Sequence, residues 1–94
     1  MASPRVSFPL GQVVGTPGAL EAVKTTGEEL IMFLVRHNRG DWGELDDGDK
    51  RMNDLAVQAG ERILSAYHLS DGTKIWIITE ADRSSTCILL PEEY

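Results

Sequence analysis

His37, His68, Glu80 and Arg83 are the residues whose types could do chemistry in this chain. Two imidazoles can exchange a proton near neutral pH, and a carboxylate and a guanidinium in one loop can orient and neutralise a phosphodiester. The set defines an RNA-cleaving or hydrolytic reading, which requires the side chains to converge in one cleft. Each has a plainer role too: Arg83 an ion pair with Glu80 or Asp82, and His68 the polar end of a strand.

The other concentration of polar groups is RHNRGDWGELDDGDK, residues 36–50, where Asp41, Glu44, Asp46, Asp47 and Asp49 surround Trp42. Hard cations take clustered oxygens, but these carboxylates lack the alternating ligands, central Gly and closing Glu of a calcium loop. No metal site is expected. Asn38 and Gly40 instead suit a helix end, Trp42 a hydrophobic anchor, and the aspartates the next helix start, where the helix dipole favours negative charge.

The chain around these residues has 94 positions, enough for one core and a single domain. Its net charge of -6 opposes attraction to phosphate backbones and anionic lipid, so nucleic acid is disfavoured. Cys87 is alone, which excludes an intrachain disulfide and fits a reduced, cytoplasmic setting. No export signal or membrane span is expected from MASPRVSFPLG or from the longest apolar run, Leu30 to Val35. Nucleotide-binding glycine motifs and Cys/His metal clusters are missing, so no cofactor is expected.

Positioning falls to a flexible arm, residues 1–9, and an α+β domain over 10–94. Gly11 to Val14 suit a short strand. Thr16-Pro17 starts a helix reaching about Thr25, Thr26 and Glu29 have capping-box spacing for a second, and Asp46 or Asp47 caps a third that Gly60 ends. Six consecutive apolar residues in the second helix call for cover on more than one side. RILSAYHL and TKIWIITE then flank an Asp71-Gly72 turn, and Thr86 to Leu90 completes an antiparallel meander. The expected class is thus α+β, about three N-terminal helices on a three- to four-stranded antiparallel sheet.

A two-residue turn would set Leu69 opposite Lys74 and Tyr67 opposite Trp76, with Ile63 and Ile78 on that side. Leu64, Ala66, His68, Ile75 and Ile77 would take the other. Both faces are then apolar and need cover from a helix, a second subunit or a ligand. Trp42, Tyr67, Trp76, Asp82 and Arg83 are the candidate interface residues, with a homodimer near Tyr67 and Trp76, or an unidentified protein partner, as the expected association.

The segments VVGTPGALEA, RHNRGDWGELD, ILSAYHLSDGTKIWIITEADRS and ILLPEEY, in that order over residues 9–94, resemble a family of small uncharacterised proteins borne by plasmids and other mobile elements. Members are sometimes labelled plasmid-related or type I restriction methylation subunits; the latter label fails here, because the chain has no methyl-donor domain and no Asn-Pro-Pro-Tyr motif. The resemblance implies mobile-element cargo and carries no catalytic residues. The expected function is a non-enzymatic interaction module. Beside it stand the hydrolytic reading and an acidic nucleic-acid mimic that blocks a defence enzyme.

Overall fold

Short-range signals act first along this chain. In the computed structural model, which describes residues 7–94, Thr16 accepts at its hydroxyl from the Ala19 N–H, and Pro17 opens helix α1, Pro17–Thr26. The first six residues of the expected arm lie outside the described residues. Before α1 stands strand β1, Gln12–Gly15; after it come α2, Leu30–Asn38, and α3, Asp47–Ala59. Asp46 caps α3 through the Asp49 N–H at 2.8 Å, and Gly60 ends it at φ 72°.

The capping box expected at Thr26 and Glu29 does not form. Gly27 takes the left-handed conformation, φ 76°, so Thr26 remains the last residue of α1 and donates its hydroxyl to the Val23 carbonyl. Helix α2 begins at Leu30 with no side-chain cap.

Strands β2, Ile63–His68, β3, Lys74–Thr79, and β4, Ser85–Leu89, form the expected antiparallel meander, followed by a 3-10 turn at Pro91–Glu93. The sheet as a whole is mixed rather than antiparallel: its order is β1-β4-β3-β2, and β1 runs parallel to β4. A parallel pair needs a long crossover, which the helices and the hairpin between β1 and β4 supply. The class is α+β, with the helices N-terminal to the meander.

The hairpin loop is one residue longer than expected, which changes every face. Leu69 pairs with Thr73 through its N–H at 2.8 Å, leaving Ser70, Asp71 and Gly72 as the turn, with Gly72 at φ 90°. Tyr67 therefore opposes Ile75, and Trp76 opposes Ala66, so Tyr67 and Trp76 lie on opposite faces. One face carries Tyr67, Ile75, Ile77 and Ile88 into a core with Ala19 and Val23 of α1 and Phe33 and Leu34 of α2, and Ile63 into a second cluster with Phe8, Trp42 and Ala56 of α3. On the other, Tyr94 meets Trp76 edge-on at 5.7 Å, and the Arg62 guanidinium lies 5.2 Å from the Tyr94 ring centre. The C-terminal turn thus supplies part of the second cover. No helix among the described residues is long and apolar enough to cross a membrane.

Candidate interaction site

The four candidate catalytic side chains do not converge. His37 lies inside the protein at 0% exposure, whereas His68 ends β2 on the opposite sheet face, 3.9 Å from the Glu44 carboxylate. Glu80 follows the far end of β3, about 20 Å from the hairpin end at about 3.3 Å per residue. Arg83, at φ 60°, donates to the carbonyls of Glu61, Glu80, Ala81 and Ala56, which ties its loop to the C-terminal end of α3. Its guanidinium is committed to the fold.

The candidate interface residues are similarly placed. Trp42 is buried and donates its indole N–H to Asp54; Tyr67 is buried and donates its hydroxyl to the Asp41 carbonyl. Neither presents a surface. The Asp82 carboxylate accepts from the Ser84 N–H and is held below its ordinary range by Ser84's hydrogen bonds, a turn-forming role. Trp76 is half-buried beneath Tyr94. In the acidic connection Asp41 pairs with Arg36 at 2.7 Å, which lowers the carboxyl pKa and raises that of the guanidinium.

His37 joins a buried chain of polar groups whose direction follows from its last member. The Thr86 hydroxyl donates to the Leu10 carbonyl at 2.7 Å, so it can only accept from Thr79, at 2.7 Å. Thr79 has then spent its proton and accepts from His37 Nε2 at 2.9 Å. His37 Nδ1 is left as an acceptor, and the Ser65 hydroxyl donates to it at 2.5 Å. Burial pushes the pKa of the imidazole down to about 4, so at neutral pH the ring is uncharged, protonated at Nε2 and an acceptor at Nδ1. Ser65, Thr79 and Thr86 are all at 0% exposure, so no substrate reaches this serine–histidine pair. It ties α2 to three strands and to the segment Phe8–Leu10.

Phe8 closes the site from outside, with its ring edge-on to His37 at 5.4 Å and 6.4 Å from Trp42. Its segment is held by the Asn38 amide on the Phe8 carbonyl and by the Thr86 bond to Leu10. Burial of one such ring is worth about 1.5–3 kcal/mol and each hydrogen bond about 1 kcal/mol. The sum is smaller than the 5–15 kcal/mol typical of a whole domain, roughly the scale expected here.

The surface feature with binding capacity lies at β1. The β2 edge is closed by its own chain: Ala66 exchanges backbone bonds with Trp42 and Glu44, and the Asn53 amide serves both the N–H and the carbonyl of Leu64. Among the described residues the β1 edge has no such cover. Gln12 donates to Ser84 and Thr16 to Ile88, so by the strand alternation Val13 and Gly15 turn their backbone groups away from the sheet.

Between that edge and α2 runs a groove of about 480 Å³, lined by Leu10 and Val13 on one side and by Ile31, Leu34, Val35, Asn38 and Arg39 on the other. Ile31 and Met32 are 58% and 62% exposed, and Val13 and Val35 are also exposed. Among the described residues, the apolar run of α2 is thus covered on the side of Leu30, Phe33 and Leu34 and open on the side of Ile31, Met32 and Val35. These groove residues were not singled out in the sequence, although the unbroken run LIMFLV was the signal for them. No protein-family model, curated protein or solved structure matches the chain.

Proposed function

We propose that the protein is a non-enzymatic interaction module that pairs with a second copy of itself through the β1 edge and the outer face of α2. The observation that carries this reading is the open strand edge bordering an apolar groove, while the other sheet edge is closed from within the chain. Antiparallel pairing of β1 with β1 about Val14 sets Val13 of one copy opposite Gly15 of the other, where both exchange N–H···O=C bonds. The same two-fold axis brings Ile31, Met32 and Val35 of the two copies together, as an isologous interface requires. The resemblance to mobile-element proteins supplies a setting, that of transferred cargo, and adds no chemistry.

Each copy would contribute one four-residue strand edge and a few α2 side chains, and a dissociation constant in the micromolar range is expected. Sedimentation equilibrium over a concentration series measures it. Val13→Lys places a charge at the open edge, and Ile31→Glu places one on α2; both variants are expected to be folded monomers. A wild-type protein that stays monomeric at high micromolar concentration overturns the proposal.

A further inference from the structure

We infer that the buried chain Ser65–His37–Thr79–Thr86–Leu10 is a proton-operated latch: uptake of a proton at His37 releases the segment Phe8–Leu10 and dismantles one wall of the β1 groove. Its effect on pairing rests on the dimer reading; the latch itself does not.

The Nδ1 lone pair is the basic site left on the imidazole, because Nε2 already carries its proton toward Thr79. Protonation there makes His37 a donor on both sides and forces the Ser65 hydroxyl to turn its own proton away. The new charge finds no counter-ion among the described residues. From α2 the neighbouring charge is Arg36, which turns to Asp41 and the Tyr67 ring; from β2 it faces Ser65, with the neutral phenol of Tyr67 beyond. From β3 and β4 it meets the hydroxyls of Thr79 and Thr86. The connection after α2 presents Trp42, while the Asp41 carboxylate is taken by Arg36. Phe8 covers the ring, and Arg83 on that phenyl group, 5.6 Å from its centre, adds positive charge.

An uncompensated imidazolium moves toward water by the weakest wall. Trp42 is pinned by Asp54 and by backbone pairing to Ala66, whereas Phe8–Leu10 hangs on the Asn38 amide and on the last hydroxyl of the chain itself. Leu10 lines the groove and leads directly into β1, so its release removes the wall facing α2. The low pKa of the buried ring, about 4, places this event in acid solution around that pH.

The test uses the full chain carrying Trp76→Phe, which leaves Trp42 as its only tryptophan. Fluorescence of Trp42 and amide-exchange protection at Gln12, whose N–H is bonded to the Ser84 carbonyl just beyond Leu10, are followed from about pH 7.5 to about pH 3.5, beside the helical circular dichroism. Fluorescence is expected to shift and the Gln12 protection factor, taken against the intrinsic exchange rate at each pH, to fall at least about tenfold while the helical signal is retained, and molar mass falls to the monomer over the same range. His37→Gln, uncharged throughout, removes the transition. Thr86→Val, which cuts the bond to the Leu10 carbonyl, brings fast exchange at neutral pH.

Simultaneous loss of fluorescence, protection and helical signal overturns the latch, as does a transition that persists in His37→Gln. Should that variant not fold, unchanged exchange at neutral pH in Thr86→Val overturns it instead. A monomer at neutral pH removes the dimer reading and leaves these local measurements able to decide the latch.

Discussion

Gly43 and Gly27 both hold a positive φ, yet their surroundings differ. A Cβ on Gly43 would meet the Ala66 carbonyl oxygen and the Tyr67 ring far inside contact distance, because residue 43 lies against the β2 edge; on Gly27 it would meet nothing within 4 Å. Gly27→Ala is expected to cost only the left-handed backbone penalty, about 1–2 kcal/mol, and Gly43→Ala about 3 kcal/mol or more, by urea denaturation. His37 sets the pH response. Its folded pKa lies below the unfolded value of 6.5, so the unfolded chain binds the extra proton; stability is complete above 6.5 and is lost as pH falls toward about 4. The loss reaches about 3 kcal/mol, and His37→Gln should flatten the urea midpoint between about pH 6.5 and about pH 4.5. Below that window Asp41, Asp71 and Asp82, all held low by hydrogen bonds, add losses of the same sign.

Among the elements, the two sheet edges are treated oppositely. Asn53 stands where a further strand would pair, so Asn53→Leu leaves the Leu64 N–H and carbonyl without partners at little change in volume. The expected loss is about 2 kcal/mol in urea denaturation, with α3 retained because its Asp46 cap is untouched. How far the elements were legible follows from the range of their signals. Thr16-Pro17, Asp46 and Gly60 act within one turn of their own helices, and those boundaries were readable. Thr26 was misread because its hydroxyl serves equally as the cap of the next helix or as a partner for its own, and Gly27 decides between them. The hairpin was readable as a hairpin, but one added turn residue exchanged the two faces. That placed Tyr67 in the core and separated it from Trp76.

On the scale of the whole molecule, charge opposes the proposed pairing. Each copy carries a formal charge of -6, so association proceeds against like-charge repulsion. Salt screens that repulsion while leaving the apolar contact and strand pairing largely intact. The dissociation constant measured by sedimentation is expected to fall several-fold between about 20 mM and about 300 mM salt. Val13→Lys should still be monomeric at the higher concentration.

The sequence by itself determined what depends on neighbours along the chain: helices preceding a β-meander, several of their ends, the α+β class, and an apolar α2 with more surface than one core contact requires. Only the tertiary structure decided the rest. The parallel pairing of β1 with β4 joins residues some 70 positions apart. The burial of His37 rests on hydroxyls from three strands, and the choice of which edge stays open depends on where Trp42 and Asn53 come to lie. Such contacts are set by which surfaces meet after collapse. No local propensity encodes them, and a one-residue change in a turn is enough to redirect every side chain in a strand.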